Sequence, residues 1–461
     1  MQEINGKTII CNYPEIDDSA FGQYGNKTEN SAIFQFRKLN FLLDEFAAQN
    51  PNVFICDLSS LQNKFGRDFC FDSSVYTSTE MVLSVDILPF AAQRIVDIAA
   101  ALKGKFKKCL IMDLDNTLWG GVIGDDGIEN IQLGHGLGIG KAFSELQLWI
   151  KQLKERGIIL AVCSKNNEET AKDPFEKHPE MVLKLSDIAV FVANWNTKVE
   201  NIMNIRQILN IGYDSMVFID DNPFERNIVR ENLPEVTVPE LPEDPADYLE
   251  FLYNENLFET ASFSSGDKDR TKQYQVEAQR VSERKKFDDE NGFLKSLNMV
   301  SSVDGFTKFL TPRIAQLTQR SNQFNLRTIR YTEEDISRLE ADTNGHKCFS
   351  FTLEDRFGDN GMICVIVLDK KTPETLFIDT WLMSCRVLKR GMENFTLNTI
   401  VRYACQNGYK EIIGEYIPTL KNAMVKEHYP SLGFKPIKGV DNQWVLKVED
   451  YQEKQVFIKE K

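Results

Sequence analysis

The stretch from residue 107 to 127, KKCLIMDLDNTLWGGVIGDDG, sets the reading of everything around it. Four mostly apolar residues, Cys109 to Met112, run straight into two carboxylates one residue apart, Asp113 and Asp115. A short apolar run without alternation is what a strand covered on both faces looks like. Two acids at its end repel each other, and burying either is unfavourable without compensation. A divalent cation is the simplest compensation.

Two further runs share the habit. GIILAVCSKN (157–166) and SMVFIDDN (215–222) are each apolar, then abruptly polar. Between the first two runs lies KAFSELQLWIKQLKERG, with Phe143, Leu146, Trp149, Ile150 and Leu153 at helical spacing and Gly157 as a C-cap. Before the third lies TKVENIMNIRQILNIG, closed by Gly212. Strand and helix alternating in this way predict a doubly wound α/β sheet, whose ligands bind at the carboxyl ends of its strands. Asp113, Asp115, Ser164, Asp220 and Asp221 all fall at those ends.

The chain has 461 residues and a net charge of −14. An acidic surface of that size argues against nucleic acid and anionic membrane as partners. No apolar run approaches a membrane span and the opening residues are polar. Nine cysteines, an odd number without a CxxC pair, and four histidines read as reduced thiols with neither disulfide framework nor zinc site. A cytoplasmic protein is expected. Residues 1–104 read as a short α/β segment and 105–245 as the doubly wound domain. LPEVTVPELPEDPADY (233–248), with four prolines, marks its edge. Residues 246–298 read as a helical connector. From 299 to 461, CFSFTLEDRF, GMICVIVLD and TLFIDTWLM followed by the helix GMENFTLNTIVRYACQNG predict an antiparallel-rich α+β domain.

Asp113-x-Asp115-x-Thr117 gains meaning from its company in chain order: Ser164, then Lys198 in WNTKVENI, then Asp220 and Asp221 in IDDNPFER. This set resembles the haloacid dehalogenase superfamily of phosphatases and phosphotransferases. The resemblance implies a Rossmann-like core, here with a minimal cap because the gaps between motifs are short. It implies Asp113 as the nucleophile that forms an aspartyl-phosphate, and Asp115 as the acid/base. Thr117, Ser164, Lys165 and Lys198 would hold the phosphoryl group, and Asp113, Asp115, Asp220 and Asp221 a Mg²⁺ ion.

The likeness narrows further. MDLDNTLWGG, CSKNNEE, NWNTKVENI, FIDDNPFERNIV, VPELPEDP, QLTQRSNQFNL, DRFGDNG and SCRVLKRGMEN together resemble the FkbH-like proteins, a haloacid dehalogenase domain fused to a GNAT acyltransferase-like domain. That family implies a phosphorylated small-molecule acyl donor of glyceryl type, loss of phosphate, and loading onto the thiol of an acyl carrier protein. A stand-alone phosphatase whose second domain only binds substrate is the alternative. In NAMVKEHYPSLGF, Tyr429 stands where GNAT enzymes place a general acid, or else it is a packed core tyrosine. VLKRGMEN resembles their pyrophosphate loop, but Glu393 opposes coenzyme A there. Cys385, beside Arg386, is favoured over Cys163 as an acyl-thioester anchor. Residues 1–104 resemble an SGNH-hydrolase remnant without its catalytic histidine.

Overall fold

A computed structural model describes residues 6–136, 138–263, 267, 270–284 and 286–461, with the side chains of Ser282 and Cys385 left outside the description. The residues up to Lys103, with Glu259–Ala261, form one compact unit; Gly104–Phe258 and Ser262–Lys461 form the other.

In the first unit β1 (Thr8–Cys11) pairs in parallel with β2 (Val53–Cys56), and the helix Ala32–Gln49 links them. Cys56, Leu58, Leu61, Cys70, Ile87 and Ala91 make its small core. Asn12 ties the strand ends together: its amide accepts from Leu58 N at 2.6 Å and donates to Asp57 at 2.8 Å.

The second unit is built on two sheets. The three predicted apolar runs are β3 (Cys109–Met112), β4 (Ile159–Ser164) and β6 (Met216–Ile219); the sequence reading does not foresee a fourth strand, β5 (Val190–Ala193). All pair in parallel, in the order β5-β4-β3-β6. β3 and β6 are buried along their whole length, so the unalternating pattern has a direct cause: helices cover both faces. The helix Ile139–Glu155 sends Phe143, Leu146, Ile150 and Leu153 into one face; Ile202, Ile205 and Leu209 of the helix Lys198–Leu209 line the other. That second helix stops two residues earlier than expected, because Asn210 takes the left-handed cap at φ +50°. β3 is central, so its carboxyl end has neighbours on both sides, at Ser164 and at Asp220.

The second sheet is mixed. Among the described residues it holds β7 (Met299–Ser301), β8 (Val303–Asp304), β9 (His346–Asp355), β10 (Gly358–Thr372), β11 (Thr375–Met383), β12 (Glu411–Glu415), β13 (Lys435–Pro436), β14 (Gln443–Lys447) and β15 (Ile458–Glu460). β9, β10 and β11 form an antiparallel meander, then β12 joins β11 in parallel across the helix Met392–Gln406. The connector is no loose arm. Its helix Arg270–Arg284 carries Arg280, whose Nε lies 2.7 Å from Asp355 on β9, both buried. No helix among the described residues is long and apolar enough to cross a membrane.

Candidate active site

Parallel strands end together, so the polar residues that terminate them share one edge of the sheet. Asp113 follows β3, and its backbone N–H donates to Ile219 O at 3.0 Å, which places it beside Asp220 and Asp221 after β6. Thr197 caps the helix Lys198–Leu209 in a reciprocal capping box with Glu200, which fixes Lys198 at its first turn. The Lys198 ammonium is 2% exposed. It lies 2.6 Å from Asp113 Oδ1 and 3.0 Å from Asp220 Oδ2, and donates to Cys163 O at 2.8 Å. Burial alone would push its pKa down, but Asp113 and Asp220 outweigh burial and hold it protonated. Burial and then the Asp113 charge push Asp220 up, and the same two causes raise Asp221.

Asp113, Asp220 and Asp221 each offer a carboxylate oxygen, all within 4.8 Å of one another. Three carboxylates facing one ammonium leave two uncompensated negative charges. An all-oxygen donor set with that surplus fits a hard divalent cation such as Mg²⁺. Arg226, buried, steadies the group by donating to the backbone carbonyls of Asp220 and Asp221 at 2.9 and 2.7 Å.

Asp115 stands outside this group, which corrects its expected place among the cation ligands. One of its oxygens accepts from Trp119 Nε1 at 2.9 Å and from Ile123 N at 3.0 Å; the other accepts from Asn166 at 3.1 Å. These three donors hold the carboxylate. Burial still holds its pKa above the usual carboxylate range, although all three hydrogen bonds pull the other way. Thr117 also differs from its expected role as a phosphate ligand. Its hydroxyl is fully buried and accepts from Asp221 N at 3.0 Å, so it shapes the acidic loop. Lys165 reaches Glu225 at 2.5 Å and is spent on that ion pair. Ser164 ends β4, almost fully buried, next to Lys198's partner Cys163. The short segment after Asp115 folds back as Gly120 and Gln132 exchange backbone hydrogen bonds of 3.0 and 2.8 Å. It forms a small flap rather than a cap domain.

Sequence reasoning missed Asn166, Trp119 and Arg226. Asn166 sits two residues after Ser164, at the strand end where functional groups collect, and that spacing was the available signal.

The second domain brings fewer of the expected groups together. Tyr429 is buried among Trp381, Phe434 and Trp444, and a Cβ placed on Gly414 would meet its ring at 2.2 Å. It is the packed core tyrosine of the two readings, and burial raises its pKa, which suits a structural phenol. The Cys163 thiol is fully buried and pushed up to about 12, chiefly by burial, so it is no nucleophile. The Cys385 side chain lies outside the described residues. Glu393 turns back on its own loop, accepting from Lys389 N at 3.3 Å, and burial raises its pKa.

The family model described as FkbH, N-terminal domain, matches residues 1–100. A crystal structure of the N-terminal part of the protein BF1531 from Bacteroides fragilis, containing a phosphatase domain complexed with Mg, is 65% identical; the match covers 56% of this chain and 69% of that one, with a TM-score of 0.55. The ribosomal-protein-S18-alanine N-acetyltransferase from Escherichia coli is 12% identical over 34% of this chain and 99% of its own, at a TM-score of 0.26. The spermidine N-acetyltransferase from Vibrio cholerae is 12% identical over 32% and 96%, at 0.25. No curated protein matches the chain.

Proposed function

Given that the chain belongs to the FkbH-like family, we propose that it is a Mg²⁺-dependent phosphatase or phosphotransferase of haloacid dehalogenase type, coupled to acyl transfer onto a carrier thiol. One observation carries the phosphoryl part: Asp113 is held by Lys198 beside Asp220 and Asp221, while Asp115 is held separately and kept protonatable. The Mg reported for the Bacteroides fragilis protein supports the choice of ion.

In the first step an Asp113 carboxylate oxygen attacks phosphorus. The bond from phosphorus to the leaving oxygen breaks, and Asp115 gives that oxygen its proton. In the second step Asp115 takes a proton from water, the water oxygen attacks phosphorus, and phosphate leaves with Asp113 restored. Asn166, Trp119 and Ile123 N keep the Asp115 carboxyl aimed through both steps. Lys198 and Ser164 hold the transferring group. Mg²⁺ on Asp113, Asp220 and Asp221 supplies the positive charge that lets an anionic nucleophile approach an anionic phosphate.

The flap is small, and Trp195 and Phe224, 77% and 65% exposed, follow β5 and β6 on the same edge. These features support a substrate larger than a free phosphate ester, in keeping with a phosphorylated acyl donor and an acyl carrier protein as partners. The packing of Tyr429 favours the second reading, a phosphatase whose GNAT-like domain only binds. Two assays separate them. Hydrolysis of an aryl phosphate should require Mg²⁺ and vanish in chelator and in Asp113→Asn; turnover without divalent ions overturns the phosphatase reading. A thioester on purified carrier protein, formed from a phosphorylated acyl donor, decides for coupled transfer, and its absence decides for the stand-alone phosphatase.

A further inference from the structure

Cys11 ends β1 and Cys56 ends β2, and the parallel pairing sets them directly opposite each other. The ladder continues past them, since Asn12 N donates to Cys56 O at 3.2 Å. Register partners on neighbouring strands send their side chains to the same face of the sheet, with backbones about 4.8 Å apart. That spacing lies inside the roughly 4.4–6.8 Å that a disulfide spans between Cα atoms. Both thiols are free, and both belong to the first unit, apart from the residues of the phosphatase centre.

The two thiols differ in access. Cys11 is exposed, whereas Cys56 is fully buried. Cys56 packs in the small core with Leu58, Leu61 and Cys70, and its thiol donates to Ala91 O at 3.8 Å. Burial, and then the neighbouring Cys11 thiol, hold the Cys56 pKa well above the ordinary thiol range. The influence of Cys11 on Cys56 acts through space, from one sulfur to the other. An accessible thiol with a protected one beside it is the arrangement of an oxidant-sensing cysteine and its resolving partner.

We propose that Cys11 and Cys56 form a redox-sensitive pair, in which a peroxide oxidises Cys11 and Cys56 then closes a disulfide that clasps β1 to β2. In the first step the Cys11 sulfur, as thiolate, attacks one oxygen of hydrogen peroxide. The S–O bond forms, the O–O bond breaks, and the released hydroxide takes a proton and leaves as water. Cys11 is then a sulfenic acid. In the second step the Cys56 sulfur attacks the Cys11 sulfur. The S–S bond forms, the S–O bond breaks, and hydroxide leaves with the Cys56 proton as a second water. Two thiols give up their hydrogens, and one peroxide becomes two waters. A small dithiol reverses the reaction by exchange, and a disulfide with one exposed sulfur is of the readily reduced kind. A two-stranded sheet is marginal by itself. A covalent tie that closes residues 11 to 56 into a loop therefore holds together strands that few hydrogen bonds join. The pair stands whether or not the phosphatase centre hydrolyses phosphate.

The test is peptide mapping of the full chain. Reduced protein is exposed to hydrogen peroxide, its remaining thiols are blocked with N-ethylmaleimide in urea, and the unreduced digest is read by mass spectrometry. A peptide pair joined through Cys11 and Cys56 should appear, and should vanish after dithiothreitol. In Cys56→Ala the sulfenic acid has no resolving partner, so labelling of Cys11 by dimedone should rise about tenfold or more over wild type. Cys11→Ser, at an exposed position, should leave Cys56 reduced through the same treatment. Amide hydrogen exchange of β1 and β2 should slow roughly tenfold or more on oxidation, because the closed loop restricts the opened chain. The wild-type map decides the pairing even if Cys56→Ala fails to fold. Both thiols recovered blocked, Cys56 joined to Cys70 of its own core, or Cys11 joined to the exposed Cys405 of another copy overturns the proposal. So does exchange of β1 and β2 that the disulfide leaves within twofold.

Discussion

Lys198→Met is the perturbation that tests the site most directly. Methionine keeps the length and most of the volume but removes the ammonium that sits 2.6 Å from Asp113 and 3.0 Å from Asp220. Breaking a buried ion pair by deleting one partner costs roughly 3–5 kcal/mol, because the other charge stays buried and uncompensated. Here two carboxylates lose the same partner, so the upper half of that range applies. With a urea dependence of about 3 kcal/mol per molar, the unfolding midpoint in EDTA should fall by about 1.5 M. Mg²⁺ at a hundred times its Kd stabilises the folded state by about 2.7 kcal/mol. Adding it should therefore return roughly 0.9 M of the variant's midpoint. Urea unfolding followed by tryptophan fluorescence reports on this region, since Trp119 is buried beside Asp115. Phosphatase turnover should fall about 10²–10³-fold, the usual loss when one preorganised charge is removed from a reacting centre. A midpoint in EDTA within about 0.2 M of wild type would refute the reasoning, for then Lys198 is not what makes the clustered acids tolerable.

Three further outcomes are expected. Asp115→Asn should still form the aspartyl-phosphate from an aryl phosphate, whose leaving group needs little protonation, and should stall before its hydrolysis; phosphoenzyme that turns over at the wild-type rate removes Asp115 from the mechanism. His428 is enclosed by Trp381, Phe324 and Tyr429, and burial lowers its pKa from 6.5 to about 3. A depressed histidine contributes stability that is present above its unfolded pKa and is lost as pH falls towards the folded one. His428→Phe should therefore flatten the loss of stability between pH 6.5 and 4 by roughly 1.4 kcal/mol per pH unit, and curves parallel to wild type would count against it. Gly414→Ala should destabilise the C-terminal domain by ~3 kcal/mol, since its Cβ would meet the Tyr429 ring at 2.2 Å, while aryl phosphate hydrolysis continues; an unchanged urea midpoint would mean that Tyr429 has room to move.

The parallel sheet was legible because strands covered on both faces must be apolar along their whole length, and β3, β4 and β6 are. The acids at their ends stood out for the same reason: a carboxylate straight after an apolar run is costly without a partner. The meander β9, β10 and β11 followed from long β-branched and aromatic runs, and TLFIDTWLM coincides with β11. These features depend on neighbours in sequence, so the sequence determined them alone. The destinations of individual side chains did not follow. Asp113 and Asp115 are two residues apart, yet one joins Asp220, 107 residues on, and the other is held by Trp119 and Ile123 nearby and by Asn166, 51 residues on. Thr117 looked like a phosphate ligand until Asp221, distant in the chain, claimed its hydroxyl. Tyr429 carried a catalytic motif's spacing but fell into a core that Gly414 and Trp381 close around it. The thiols of Cys11 and Cys56 are a further case. They stand 45 residues apart, and no local pattern in the chain marks them as a pair. Only the register of β1 on β2 brings them within reach of one another, because strand pairing and burial act through space and take no account of sequence separation.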